Sequence, residues 1–372
     1  MTLCATTASV GVTTTPRLAD TWQTATSHSP ASGLGSELTD VYCQSTSSCL
    51  LVGNQTNGRS FSEIERRGAW TRVVLPAPRG ATRFFDESLD QLSCRSLTWC
   101  EAVGEINGPS TQRCPCGRTI AENWNGHTWT AQELPHLSDY THAKMYDLSC
   151  SSVRWCVAVG IYEVTTHQER SFAYWWNGSS WHHMTVPMPT KQFVNSVVCF
   201  SSTNCLGVGT EHFHLDIRPL AEKWNGHRWQ VVAMTQPLSN SNLERMACSS
   251  STSCHALGTT NSRMLSETWN GVRWTIDPAT SPSAIAPDFA DVVCPRANFC
   301  LGVGWAGATS HVVPTSVSWN SNQWRALLPP SGAHSNNDVI FAVSCPTAHY
   351  CQAVGETNPY ERLRILVERF TH

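Results

Sequence analysis

Apolar and polar positions along this chain fall into short runs that return in the same order. A run of about four residues enters a cysteine (DVYC, QLSC, DLSC, SVVC, RMAC, DVVC, AVSC). Five residues rich in Ser, Thr, Asn or Pro follow. A second cysteine then opens a run ending in Val-Gly or Leu-Gly (CLLVG, CEAVG, CVAVG, CLGVG, CHALG, CLGVG, CQAVG). A stretch of variable length leads to a third run such as AENWNG, AEKWNG or SETWNG, and a Trp beyond the turn opens a fourth run that closes at Pro. Runs this short, set between turn residues, read as strands and not helices.

The first cysteines stand at 43, 94, 150, 199, 248, 294 and 345, at intervals of 46 to 56 residues. Four antiparallel strands at that period, seven times over, predict an all-β fold, a seven-bladed β-propeller. We name the strands A to D from the central channel outward. Asn-Gly between the third and fourth runs is a hairpin signal, carried by Asn125-Gly126, Asn177-Gly178, Asn225-Gly226 and Asn270-Gly271. Arg67-Gly68 and Asn320-Ser321 take its place in the first and sixth repeats. Pro76, Pro135, Pro187, Pro237, Pro278 and Pro329 close the fourth runs. Proline is tolerated at an edge or a strand end, so strand D is the outer edge.

The seventh repeat has strands A and B, then LRILVERFTH as strand C, and no strand D. Trp22 precedes Cys43 by 21 residues, the spacing that separates Trp129 from Cys150 and Trp324 from Cys345. Residues 21–35 are therefore expected to supply the outer strand of the last blade and close the ring. A rival alignment reads residues 19–22 as a strand C, on the pattern of residues 221–224. Residues 1–20 fall outside the repeat, and residues 21–372 are expected to form one propeller domain.

The cysteines add a covalent framework. Fourteen of the seventeen form Cys-x5-Cys pairs: Cys43 with Cys49, Cys94 with Cys100, Cys150 with Cys156, Cys199 with Cys205, Cys248 with Cys254, Cys294 with Cys300, and Cys345 with Cys351. A metal site needs Cys-x2-Cys or histidine at ligand spacing, and no histidine recurs beside these pairs. One disulfide per blade, bridging a five-residue A–B loop, is the expectation. It places the chain in an oxidising compartment, secreted or at the cell surface. Residues 1–12 are mildly apolar but lack a basic n-region, so no export signal is legible there. Cys4, Cys114 and Cys116 are left over; Cys114-Pro115-Cys116 reads as a tight disulfide, a redox pair, or one partner for Cys4. The net charge is −3, with 25 Lys and Arg against 28 Asp and Glu and no basic run, which argues against nucleic-acid binding. No apolar run approaches the roughly 20 residues that span a bilayer. A monomer is expected.

Trp124, Trp176, Trp224, Trp269 and Trp319 end third runs, and Trp70, Trp129, Trp181, Trp229, Trp274 and Trp324 open fourth runs. Such repetition points to packing between blades or across the C–D hairpin, with sugar stacking as the other role. The segment Thr268-Trp269-Asn270-Gly271-Val272-Arg273-Trp274 resembles the Asp-box turn of sialidase-type propellers, Ser/Thr-x-Asp-x-Gly-x-x-Trp, with Asn for Asp and one residue fewer. That resemblance implies a structural turn and carries no activity: the sialidase arginine cluster and Tyr-Glu pair have no counterpart by motif. Over residues 36–372 the Cys-x5-Cys and Trp-Asn-Gly repeats also resemble those of uncharacterised exported proteins of high-GC Gram-positive bacteria. This implies fold and location, not function.

Compared with one another, the seven repeats keep the A–B loop and the C–D turn nearly constant, while the B–C and D–A connections vary. Those two sets share one face, and function concentrates where loops vary over a fixed scaffold. Directly after the recurring Gly come Asn54, Glu105, Ile161, Thr210, Thr259, Trp305 and Glu356, with Glu163, Glu211, His167, His212, His214 and His311 nearby. Trp305, Glu105, Glu356 and His214 are candidate ligand contacts. Glu105, Glu163, Glu211, His212 and Glu356 are candidates for acid–base chemistry, against the plainer reading of a solvated rim. Asp40, Asp147 and Asp291, three residues before the first Cys, face the channel or cap neighbouring backbone N–H groups. No nucleophile motif, phosphate loop or metal cluster stands out. The reading is a binding or scaffold protein without metal or cofactor, whose partner is a glycan, an envelope polymer or a protein. The alternatives are a hydrolase, lyase or cyclase at the channel mouth, and a structural surface antigen.

Overall fold

A computed structural model describes residues 21–24, 35–76, 86–107, 118–132, 134–135, 140–164, 168–185, 192–213, 216–235, 240–278, 287–308, 311–327, 338–357 and 364–371. They form seven antiparallel four-stranded sheets, the blades of a β-propeller. Blade 1 runs A (Ser36–Ser45), B (Ser48–Gln55), C (Arg59–Arg66), D (Ala69–Val73). Strands A of blades 2 to 6 are Asp86–Ser96, Tyr140–Ser152, Gln192–Ser201, Ser241–Ser250 and Pro287–Arg296. Blade 7 consists of Val339–Thr347, Tyr350–Thr357, Arg364–Thr371 and, as strand D, Thr21–Thr24 from the other end of the chain. Thr21 pairs with Thr371 and Trp22 with Phe370, so the ring closes as the spacing of Trp22 predicts and the rival alignment is excluded. Residues 1–20 and 25–34, and with them Cys4, lie outside the described residues.

Each blade carries its expected disulfide. Cys43 is bonded to Cys49, Cys94 to Cys100, Cys150 to Cys156, Cys199 to Cys205, Cys248 to Cys254, Cys294 to Cys300, and Cys345 to Cys351, with Cα atoms 3.9–4.1 Å apart. The second member of every pair is fully buried: Cys49, Cys100, Cys156, Cys205, Cys254, Cys300 and Cys351 all have 0% exposure. These sulfurs belong to the blade core, and none is a surface thiol or a metal ligand. The hairpin they staple is tighter than the expected five-residue loop. In blade 1 Ser45 pairs with Ser48, so the strands run past Cys43 and Cys49 and only two residues turn.

The C–D turns also differ from the expected two-residue form. In blade 2 Trp124 pairs with Trp129, leaving four residues in the turn. Gly126 takes φ 94°, while the Asn125 Oδ1 accepts the N–H groups of His127 and Thr128, both at 2.9 Å. Asn is thus selected as a side-chain acceptor, not for a left-handed backbone. Blade 1 makes the two-residue turn, with both Arg67 (φ 56°) and Gly68 (φ 82°) left-handed.

The recurring tryptophans are structural. Each C–D pair packs ring on ring across its hairpin, with centroids 5.5 Å apart for Trp124 and Trp129 and 5.9 Å for Trp319 and Trp324. Strand-C indoles donate to carbonyls of their own A–B turns, Trp124 to Leu97 at 2.9 Å and Trp269 to Ser251 at 3.1 Å. Three strand-D indoles reach the preceding blade: Trp181 donates to Gln132, Trp22 to Ser316, and Trp229 to the sulfur of Met184. Apart from the half-buried Trp70, these rings are buried and so not available to stack on a sugar.

Every strand A carries a one-residue β-bulge at the same place, four residues before its first Cys. Register breaks there leave Thr39, Asp90, Tyr146, Asn195, Glu244, Ala290 and Phe341 without strand partners. A bulge interrupts the alternation of a strand, so two consecutive side chains can point one way. Here the bulged residue and its successor both face the channel. The successors tie the blades together. Asp40 accepts the N–H of its own neighbour Val41 and of Leu92 in blade 2, both at 2.6 Å. Asp147 accepts from Leu148 and, in blade 4, from Val197 N–H and the Ser196 hydroxyl, all at 2.7 Å. Asp291 accepts from Val292 and from Val343 in blade 7. The three carboxylates therefore do both things expected of them: they line the channel and cap N–H groups across blade boundaries.

Asp147→Ala leaves three donors without their acceptor at one boundary. It is expected to destabilise the protein by about 2–3 kcal/mol, the cost of stranding buried donors, with Asp147→Asn intermediate. Thermal and urea unfolding check this; wild-type stability in the alanine variant would show that water replaces the carboxylate at no cost.

Candidate functional site

The bulges build the channel mouth. On the face of the B–C and D–A connections, a cavity of about 530 Å³ is lined by bulged residues and by residues two positions before them. Glu37, Asp90, Glu244 and Asp288 supply four carboxyl groups to its wall, Lys144 and Arg245 two cations, and Tyr146, Trp305 and Phe341 aromatic surface. The recurring Gly is what permits this geometry. A Cβ on Gly104, Gly209 or Gly304 would fall on the carbonyl oxygen of Ser88, Phe193 or Asp288, where strand A presses inward ahead of its bulge.

The acid groups are held away from water. Burial is the main cause in each case, and it raises Asp90, Glu244 and Glu356 to about 7. For Asp90 the charge of Glu105 adds to the effect, and Ser88 Oγ donates to its Oδ2 at 3.1 Å. Glu244 accepts the Phe289 N–H at 2.8 Å and the Asn242 amide at 3.2 Å. Glu356 lies behind Glu37, whose charge adds to the effect of burial. Asp288 is also raised by burial, although the Trp305 indole is hydrogen-bonded to its carboxylate. Trp305 meets Phe341 edge-on, with centroids 5.8 Å apart.

Arg245 answers only part of this acidity, because its single charge bears on Glu244, Asp147 and Asp291 together. Its guanidinium is spent on backbone carbonyls: Nε donates to Ala290 O, and Nη1 to Glu244 O at 3.1 Å and Asn195 O at 3.3 Å. Beneath it lies a further space of about 310 Å³ lined by Asp40, Asp147 and Asp291. Lys144 is exposed, with its ammonium 5.9 Å over the Tyr146 ring.

The structure gathers some of the residues marked in the sequence and not others. Trp305 is in the cavity wall, and Glu105 and Glu356 stand directly around it; Glu105 Oε2 is 4.0 Å from His142 Nε2. His212 lines an adjoining cavity of about 370 Å³ with Glu169, and meets Phe193 edge-on at 5.5 Å. The two cavities share Tyr146, Asn195 and Asn242. Glu163 and Glu211 lie farther out along strand B and line neither; Glu211 accepts the Gln192 amide at 2.6 Å. His167 and His214 lie outside the described residues, as do Cys114 and Cys116, and the side chain of His311 is not described. No group of three or more metal-ligating side chains occurs among the described residues. The sequence reading missed Glu37, Asp90, Lys144, Tyr146, Glu244, Arg245, Asp288 and Phe341. All come from strand A, which the focus on variable loops passed over.

No helix among the described residues is long and apolar enough to cross a membrane. No protein-family model matches the chain, and no curated protein matches it significantly. Similarity to solved structures covers three quarters or more of the chain at low identity. A structure described as YCF48 bound to D1 peptide shares 11% identity over 94% of this chain and 97% of its own, with TM-score 0.54. YCF48 from Cyanidioschyzon merolae gives 12% identity over 95% and 98%, with TM-score 0.51. A protein of unknown function from Dyadobacter fermentans gives 8% identity over 76% and 93%, with TM-score 0.52. At these identities the likeness is one of fold: this chain is similar to other β-propellers along nearly its full length.

Proposed function

We propose that this chain is an exported binding propeller whose ligand site is the channel mouth on the face of the B–C and D–A loops, with a glycan, envelope polymer or protein as partner. The observation that carries this is the mouth cavity itself: about 530 Å³, with Trp305 and Phe341 half-buried in a wall of desolvated polar groups. Concave sites of this size with aromatic surface and a few oriented polar groups are where ligands bind. Export is inferred from the seven disulfides, which persist in oxidising compartments. The Asn-Gly turns fit degenerate Asp-boxes that hold the C–D corner. A propeller of this shape bound to a peptide offers a precedent for recognition by the fold, and fold alone does not fix the ligand.

Glycan and peptide arrays probed in parallel with wild type and Trp305→Ala test the reading. Signals that Trp305→Ala reduces about tenfold, the effect of losing a buried aromatic contact, place the ligand at the mouth. Signals unchanged in the variant would move the site elsewhere, and blank arrays with both proteins would count against a glycan or linear peptide ligand.

A further inference from the structure

Taking the mouth as the binding site, we propose that its ligand is a basic polypeptide segment, whose lysine or arginine head enters the acidic, aromatic-walled cavity between Asp90, Glu244 and Trp305. Charge complementarity carries this first. The wall presents four carboxyl groups against two cations, and the charge of one of those cations, Arg245, is shared between Glu244 and the channel acids Asp147 and Asp291. Glu105 and Glu356 stand just behind the wall, and Asp40, Asp147 and Asp291 line the channel below it. Low-dielectric walls focus such a field on the opening. Glu356 is only 7% exposed, and burial with Glu37 beside it raises it to about 7, so a cation entering the mouth favours its ionised form.

The aromatic surface is of the kind that takes a cation. An ammonium or guanidinium group is attracted to the face of Trp or Tyr within about 6 Å of the centroid, more strongly when water is excluded. The chain already shows this at the site, where the Lys144 ammonium lies 5.9 Å over Tyr146. Lys144 is exposed and unbranched, so it can swing out when a stronger cation enters. The adjoining cavity of about 370 Å³ brings Asn195, Asn240 and Asn242 alongside. Asn195 and Asn242 already bond Leu243, Thr210, Glu244 and Thr259, so the Asn195 carbonyl oxygen and the Asn240 amide are the groups that would meet the backbone of an extended segment continuing past the seated side chain.

Calorimetry at physiological salt tests the proposal, with acetylated tetralysine amide as probe and acetylated tetraglutamate amide, a glucosamine tetramer and an N-acetylglucosamine tetramer as comparisons. Tetralysine is expected to bind at one site per chain. The double variant combining Asp90→Asn with Glu244→Gln should weaken it about tenfold or more, Trp305→Ala about three- to tenfold, and Lys144→Met should tighten it about threefold. Arg228→Gln, which removes an exposed charge from the C–D turn of blade 4, should leave the affinity unchanged and so excludes a general charge effect. Absence of tetralysine binding, or binding indifferent to Asp90, Glu244 and Trp305, overturns the proposal. If the glucosamine tetramer binds and tetralysine does not, the cationic seat stands and the peptide occupant falls. If a neutral or acidic probe binds in a Trp305-dependent way, the mouth remains the binding site while its ligand class is overturned.

Discussion

Gly209→Ala is expected to destabilise the protein by about 3 kcal/mol, the upper end of the cost of overpacking, although it adds a single methyl group. The added Cβ would fall on the carbonyl oxygen of Phe193 and press on the backbone of Asn195. Both atoms belong to the bulge of strand A in blade 4, and neither is a flexible side-chain end that could turn aside. Relief requires the bulge to straighten. That would withdraw Asn195 from the mouth and break its hydrogen bonds to Leu243 O at 2.8 Å and to Thr210 Oγ1 at 3.1 Å. Gly207, two residues earlier in the same strand, is the internal control. A Cβ there meets the Val194 side chain at 3.0 Å, and four other blades already carry Ala at that position: Ala102, Ala158, Ala256 and Ala353. Gly207→Ala should cost under about 1 kcal/mol, within reach of side-chain adjustment. Paired urea titrations measure the difference, and equal midpoints for the two variants would show that the bulge yields without cost.

This asymmetry also explains what the sequence reveals. The blade count, the strand order, the disulfides and the closure by Trp22 are legible because each rests on a device that every repeat needs, and repetition exposes it. The site is less legible because it sits where repeats must differ. Its signal is nonetheless present. Five residues before each first Cys stands an apolar side chain (Leu38, Leu89, Met145, Val194, Leu243, Phe289, Ile340), and two before stands another (Val41, Leu92, Leu148, Val197, Met246, Val292, Val343). Two positions between them break the strict alternation of a strand. Read with the recurring Gly across the hairpin, that break marks the bulge and the ring of variable residues from Thr39 to Phe341. Asp40, Asp147 and Asp291 were visible as a column; that each also ties its blade to the next depends on distances between sheets that no spacing along the chain encodes. Trp305 stood out because its counterparts are mostly polar. Its partner Phe341 did not, because a phenylalanine in a strand reads as core.

The protein is expected to be more stable at pH 5 than at pH 8, with the melting temperature falling roughly 5–10 °C across that interval. The cause is a set of interior glutamates. Glu122, Glu222 and Glu267 occupy one recurring position, two residues before the strand-C Trp, and Glu101 pairs with Asn123, the residue after Glu122, in blade 2. All four are at most 1% exposed. Glu101 is bonded by the Asn123 and Gln132 amides, whereas both carboxyl oxygens of Glu122 and of Glu267 lack any hydrogen-bond partner. Burial therefore raises these groups to about 8 for Glu101, 9 for Glu122, 7 for Glu222 and 8 for Glu267. An unfolded glutamate ionises near 4.3. Between that value and the folded one the native state holds a proton that the unfolded chain has released. Each such group then removes up to ~1.4 kcal/mol of stability per pH unit as the pH rises. Below about pH 4 both states are protonated and the stabilisation is at its full value; it is lost as the pH climbs through 7 to 9. The double variant combining Glu122→Gln with Glu267→Gln keeps the shape and removes the charge. It should raise stability at pH 8, change little at pH 5, and flatten the profile between them. Melting curves across pH 4.5–9 decide the matter: a wild-type profile that rises with pH would mean that these side chains are ionised in the fold, each compensated by a partner or by water.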